Sequence, residues 1–284
     1  MFALETIELL LFTALGLVLG SAANVLIVRL PAWLDKTYAD ECARNDAADT
    51  HPVTPPLPPA SGPSGARSQC PHCLHTLTAI ELLPLLSYCW QRGRCRHCRS
   101  VISCLYPLIE CASAAWFALC WLHFQSQPAL AAMWGLWGLV LLCMACIDGR
   151  SFWLPDVLTL PFLAAGLLLS MLGHGPTDAL SAGIGALVGW GTLTAVGYIF
   201  YRLTGRMGFG GGDAKLLAGL GAWLGWQLLP WVLMGAALGG VVFGLWQRGS
   251  AHVKPVARNV PDGAIPFGPF LALAAAVLAV HVWP

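Results

Sequence analysis

The chain has 284 residues, 57% of them hydrophobic and 10% charged, with a mean hydropathy of +0.68. Soluble globular chains carry about 25% charged residues, so the composition excludes a soluble enzyme and marks an integral membrane protein. The net charge of +1 argues for no class of partner; the placement of the charges is what informs.

In chain order, apolar runs of about the 20 residues that a membrane helix needs fall near 6–28, 102–122, 129–147, 157–173, 179–200, 214–230, 231–247 and 265–283. About eight transmembrane helices are therefore expected, giving an all-α membrane protein. The first run holds Glu5 and Glu8 and no basic residue before Arg29, unlike the basic start of a signal peptide. It reads as a retained N-terminal transmembrane helix spanning 1–30. The runs at 214–230 and 231–247 are the least clearly separated, being parted only by Leu229-Pro230-Trp231, and the proline there reads either as a break between two spans or as a kink.

The basic residues cluster in alternate connections. Arg29, Lys36, Arg44, Arg67, Arg92, Arg94, Arg96 and Arg99 lie in the first loop, Arg150 in the third, Arg202, Arg206 and Lys215 in the fifth, and Arg248, Lys254 and Arg258 in the seventh. With eight spans all these loops share one face, and positive residues mark the cytoplasmic side. Both termini then point away from the cytoplasm. The domain scheme is a helix over 1–30, a cytoplasmic loop over 31–100 and a helical membrane core over 101–284. Residues 49–67 are rich in Pro, Ser, Gly and Ala and read as a flexible or polyproline linker. The 248–264 loop reads as polar and irregular.

Within the first loop, Cys70-Pro-His-Cys73 and Cys95-Arg-His-Cys98 form a pair of CxxC knuckles over 70–98. Two such knuckles can complete a tetrahedral Cys₄ zinc site; redox pairs or free thiols are the other readings. A closed Cys₄ site has no open position, so the zinc is expected to be structural. His72, His75 and His97 are nearby but read as exposed loop residues.

Two acids lie at membrane boundaries, where an ionisable group is costly unless it is paired or functional. Asp148 ends the third run in Ile147-Asp148-Gly149-Arg150, and Asp213 begins the sixth in Gly210-Gly211-Gly212-Asp213-Ala214-Lys215. Both fall on the cytoplasmic face. Two carboxylates brought together can act as an aspartyl dyad, one keeping a proton for the substrate carbonyl and the other acting as general base on water. Asp156, after Pro155, competes with Asp148 as partner, or caps the next helix. Glu110, inside the second run, reads either as a hydrogen-bonded partner in the bundle or as a substrate or cofactor contact. Gly210 and Gly212 would leave room for a backbone to approach. There is no serine nucleophile elbow, HExxH, P-loop or nucleic-acid stripe.

Several ordered motifs make the chain resemble the type IV prepilin peptidases. They are Gly20-Ser-Ala-Ala-Asn24-Val-Leu-Ile-Val-Arg29-Leu-Pro31, the two knuckles with Leu83-Pro-Leu-Leu-Ser87-Tyr88 between them, and Tyr106-Pro107 with Glu110. Ile147-Asp148 with Leu154-Pro155-Asp156, the GxGD stretch Gly210 to Asp213 continuing to Lys215-Leu216-Leu217, and Pro266-Phe267-Gly268-Pro269-Phe270-Leu271 complete the set. The resemblance implies a bifunctional enzyme of the bacterial inner membrane. Asp148 and Asp213 would be catalytic, with Gly210, Gly212, Asp156 and Lys215 supporting the substrate site. It implies cleavage of the basic leader of prepilins or secretion pseudopilins at the cytoplasmic face. N-methylation of the new terminus with S-adenosylmethionine would follow. The rival readings are an ion or solute transporter and a non-catalytic pilus or secretion assembly protein.

Overall fold

The computed structural model describes residues 2–48, 67–78, 80–125, 127–205, 210–249 and 265–282. The 49–67 linker, apart from Arg67, and the 248–264 loop beyond Gly249 lie outside the described residues, as do Gly208 and Phe209. The described chain is all-α apart from the turns and two isolated bridges of the cysteine module, and falls into two compact units, Met1–Leu139 and Val140–Pro284.

The first unit begins with α1 (Phe2–Ala48), followed by a 3₁₀ turn (Ile80–Leu82), the short α2 (Leu86–Trp90) and α3 (Leu105–His123). The boundary between the units falls within α4 (Pro128–Ser151). At 47 residues, α1 is about 70 Å long at ~1.5 Å per residue, more than twice a ~30 Å hydrocarbon layer. It runs through Pro31, where a loop was expected to begin. Proline removes one backbone donor, but residues 32–48 supply Ala, Leu, Lys, Glu and Arg, whose helix propensity sustains the turn beyond it. The helix α1 packs on α3 through Gly16 and Gly20. A side chain at Gly20 would meet Ser113 at 2.9 Å, and small residues are how membrane helices approach closely. Above this contact, buried Asn24 donates to the Tyr106 carbonyl at 3.1 Å. The Trp116 indole of α3 donates to the Trp134 carbonyl of α4 at 2.9 Å.

The second unit holds the end of α4, then α5 (Asp156–Met171), α6 (Ala179–Thr204), α7 (Gly211–Leu224), a 3₁₀ turn (Trp226–Leu228), α8 (Leu229–Gly249) and α9 (Gly268–Val282). Helix α7 is its hub and packs against α5, α6, α8 and α9. Every residue from Leu216 to Leu224 is buried, so this helix is covered by protein rather than by lipid. Gly185 of α6 and Gly221 of α7 face each other so closely that a side chain on either would strike the other's carbonyl. Trp223 donates its indole N–H to the Phe162 carbonyl of α5 at 2.9 Å.

Each of the eight expected apolar runs forms a helix (α1 and α3 to α9). Five stretches are long and apolar enough to cross a membrane by length and composition: Glu5–Cys42, Leu105–His123, Pro128–Ser151, Ala179–Thr204 and Trp226–Gly249. Helices α5 and α9 are apolar but shorter. The break between the sixth and seventh runs lies at Gly225, not at Leu229-Pro230-Trp231. Gly225 closes α7 at φ 79°, a conformation that glycine adopts without a Cβ penalty. Pro230 instead sits in the first turn of α8, where its missing N–H costs nothing.

Candidate active site

Three helix ends meet in the second unit. Asp148 lies in the last turn of α4, and the backbone folds back at once: the Phe152 N–H closes on the Asp148 carbonyl at 2.8 Å, with Phe152 at φ 55°. Asp213 lies in the first turn of α7. Gly268 opens α9, and its N–H donates to Asp148 Oδ2 at 2.9 Å in a buried bond. The first amides of a helix lack intrahelical acceptors and carry the positive end of its dipole, so α9 presents a donor suited to a carboxylate.

Asp148 and Asp213 are 5% and 8% exposed. Asp213 Oδ1 is buried without a hydrogen-bond partner among the described residues. A buried acceptor left without a partner is costly unless the carboxyl is protonated or a water or ligand meets it. Asp213 does not cap α7: that position is Gly210, with no side-chain bond.

The glycines before Asp213 differ in surroundings. A Cβ on Gly212 would lie 2.7 Å from that of Leu154, so the α4–α5 turn fills the space beside it. Among the described residues, a Cβ on Gly210 would meet Asp213 Oδ2 at 3.6 Å and the Gly212 nitrogen at 4.0 Å, and one on Gly211 nothing within 4 Å. Among the described residues, the space beside Asp213 is therefore open at Gly210 and Gly211 and filled at Gly212.

Asp156 neither caps α5 nor joins the buried carboxylates. Pro155 holds the cap position without a side-chain bond, and both oxygens of Asp156 accept from Lys215 Nζ, at 2.6 and 2.7 Å. The pair ties the start of α5 to α7 two residues beyond Asp213. Lys215 and Asp156 are 36% and 49% exposed, and pairs so wetted contribute about 0–1 kcal/mol. Lys215→Met is expected to lower the melting temperature in detergent by no more than a few degrees. A fall as large as that from Leu217→Ala, a core truncation, would show the pair to be a structural keystone.

In the first unit, the Sγ atoms of Cys70, Cys73, Cys95 and Cys98 lie within 4.8 Å of one another. Cys70 and Cys98 are 3.8 Å apart, the edge of a tetrahedron with metal–sulfur bonds of about 2.3 Å. The two knuckles repeat one backbone pattern. Cys70 N–H donates to the His75 carbonyl and Cys95 N–H to that of Ser100; Leu74 N–H closes on Cys70 and Arg99 N–H on Cys95. Leu74 and Arg99 both take φ 57°, and each knuckle carries one antiparallel bridge, Gln69 with Thr76 and Arg94 with Val101. The His75 and His97 rings pack 3.5 Å apart between them, outside the thiol cluster.

The amides of Cys73 and His72 pull the Cys70 thiol down to about 6. Ser100 lowers Cys98 through its hydroxyl and its amide. Cys73 is pushed up to about 11: the His75 amide favours its thiolate, but desolvation and the neighbouring thiols prevail. These four residues could hold a metal ion, which would let all four bind as thiolates. Glu110 belongs to the same unit and is buried, accepting the Leu85 N–H at 2.9 Å. It is a hydrogen-bonded partner that ties the approach to α2 onto α3.

Sequence reasoning assigned Gly268 no role. Its signal was the proline on either side, at 266 and 269: Pro269 cannot donate, which leaves the Gly268 amide to face whatever lies before the helix.

Fold and site together define an integral membrane protein with a buried aspartate pair at helix ends and a separate four-thiol cluster. Residues 14–124 match the Bacterial Peptidase A24 N-terminal domain, and 135–245 match the Type IV leader peptidase family. Among curated relatives, the prepilin leader peptidase/N-methyltransferase of Burkholderia pseudomallei (strain 1026b) is 41% identical over 261 residues, covering 91% of this chain and 80% of the relative. Proteins of the same name from Aeromonas hydrophila and Pseudomonas aeruginosa are 42% and 37% identical, over 91% and 92% of this chain and 86% of each relative. No solved structure matches the chain. The chain belongs to the type IV leader peptidase family.

Proposed function

We propose that the chain is a prepilin leader peptidase and N-methyltransferase, with Asp148 and Asp213 as its proteolytic pair. The observation that carries the proteolytic reading is the burial of both carboxylates at facing helix ends, with Asp213 Oδ1 unpartnered. A pair of this kind holds one proton between its members. The protonated carboxyl donates to the scissile carbonyl oxygen while the ionised one takes a proton from the attacking water. The water oxygen bonds to the carbonyl carbon to give a gem-diol. On collapse the newly protonated carboxyl gives its proton to the departing amine as the C–N bond breaks, and the other carboxyl takes one back from a gem-diol hydroxyl as the carbonyl re-forms, so the pair again holds one proton without a covalent intermediate. The Gly268 amide keeps Asp148 Oδ2 fixed during this exchange, and Gly210 and Gly211 leave the approach through which an extended backbone reaches Asp213.

The substrates in this reading are prepilins or secretion pseudopilins, cleaved at the inner membrane. In this reading the chain makes eight spans, and the basic connections, both aspartates and the cysteine module then share the cytoplasmic face, where the basic leader stays. Residues 1–30 anchor the chain, 31–100 form the cytoplasmic insertion, and 101–284 form the peptidase core. Asp156 and Lys215 brace the start of α7 at the substrate site. The four cysteines hold a structural Zn²⁺, a closed site with no catalytic position. S-adenosylmethionine would supply the methyl group, as the relatives' shared name implies.

Purified protein incubated with a prepilin should release the leader and, given S-adenosylmethionine, add one methyl group to the new N-terminus. Inertness of the folded protein toward prepilins would favour a transporter or an assembly protein. A topology reporter fused after His174, between α5 and α6, is expected to be extracytoplasmic; a cytoplasmic signal would overturn the eight-span arrangement. Cys70→Ser with Cys98→Ser is expected to abolish bound zinc in elemental analysis, and unchanged metal content would refute the Cys₄ site.

A further inference from the structure

We propose that a cavity in the cysteine module binds the headgroup of an anionic phospholipid and seats the module on the bilayer. The cavity, of about 660 Å³, is lined by Arg92, Arg94, Arg96 and Arg99 together with Trp90 and Glu81. All four arginines are exposed. None of their guanidinium groups makes an ion pair or side-chain hydrogen bond with another described residue. The one acid in the lining is already engaged, because Glu81 Oε2 accepts from the Thr78 amide at 2.8 Å and from its hydroxyl at 2.9 Å. Were the nearby thiolates to enclose a divalent cation, that centre would carry a net charge of about minus two, and the four arginines would still leave the cavity positive. Guanidinium groups recognise phosphate by paired hydrogen bonds. A basic leader peptide would be repelled.

Two features select a lipid over a free phosphate. The first is apolar exposure beside the arginines: Trp90 is 82% exposed, Leu86 67% and Ile80 61%. Tryptophan with arginine is the composition of the headgroup layer, and a soluble anion would leave these side chains in water. The second is position. The Ile102 N–H donates to the Gly93 carbonyl at 2.8 Å, Arg94 bridges Val101, and Glu110 of α3 accepts from Leu85 just before α2. The cavity wall is thus bonded on two sides to the start of α3, a helix of membrane-crossing length.

The test titrates the full chain in detergent with dioleoyl phosphatidylglycerol or dioleoyl phosphatidylcholine and counts bound lipids by native mass spectrometry. The wild type is expected to take the first phosphatidylglycerol about tenfold more tightly than phosphatidylcholine, since each basic residue near a lipid surface adds appreciable attraction. Arg92→Gln, Arg94→Gln, Arg96→Gln and Arg99→Gln combined should remove that preference. Lysine at the same four positions should keep most of it, and Arg202→Gln with Arg248→Gln should leave it intact. Equal phosphatidylglycerol binding by the fourfold glutamine protein would overturn the proposal, as would an equal loss in the Arg202 and Arg248 control. Displacement of the lipid by millimolar inorganic phosphate would reassign the cavity to a soluble anion. Should the glutamine protein not fold, hydrogen exchange of the wild type decides. Residues 85–99 should be protected in phosphatidylglycerol nanodiscs relative to phosphatidylcholine ones, and identical exchange in the two would contradict the seat.

Discussion

Asp148→Asn and Asp213→Asn are each expected to lower leader cleavage by at least about a thousandfold, because each removes one of two groups that act as a unit. Asparagine keeps the shape and the hydrogen-bonding capacity of the side chain but can neither take nor give up the proton. The replacement therefore separates chemistry from folding: in Asp148→Asn the new side-chain amide oxygen can still accept the Gly268 N–H. Both proteins should bind prepilin with affinity close to that of the wild type and fail at turnover. The check is leader release under single-turnover conditions alongside a substrate-binding measurement. Retention of more than a tenth of the activity in either variant would exclude that residue from the reaction.

The second large effect is expected at a residue with no reactive group. A Cβ on Gly268 would stand 2.7 Å from Asp148 Oδ2 and 3.0 Å from its Cγ, where the α9 amide now donates. Gly268→Val should push the carboxylate aside and break the bond. Misplacement of a reacting group by about 1 Å costs on the order of a hundredfold. The loss should appear in kcat with KM little changed, since the prepilin is not in contact with this glycine in the proposed arrangement. Gly183→Val, at a helix position with nothing within 4 Å, is the matched control. Equal losses in the two would trace the effect to α-helix destabilisation instead of Asp148.

Much of the molecule was legible in the residues because membrane helices and CxxC knuckles are local signals. Runs of apolar residues specify helices on their own, and two thiols three apart close a turn around one point. The knuckles even share a left-handed residue at the same place, Leu74 and Arg99, though neither side chain announces it. What escaped was set by packing. The end of α7 depends on Gly225 adopting a positive φ, while the nearby Leu229-Pro230-Trp231 looked like the stronger break; a proline opens a helix as readily as it ends one. The passage of α1 through Pro31 was hidden for the same reason. At the site, the residue types stood in the sequence, and charge placement supplied the expectation that both acids lie on one membrane face. The tie from Gly268 to Asp148 spans 120 residues and uses a backbone amide, which leaves no side-chain signature. The Lys215–Asp156 pair likewise needed the fold, since nothing in either local sequence says that α5 and α7 start side by side.

The buried aspartates are the proposed proteolytic machinery, and one measurement addresses them directly. Purified wild-type protein and the double variant Asp148→Asn with Asp213→Asn are each incubated with a prepilin in detergent, and both peptide products are weighed by mass spectrometry. Release of an intact leader and a shortened pilin by the wild type, and of neither by a double variant that elutes and melts like the wild type, is the predicted result. Leader release by the double variant would contradict it.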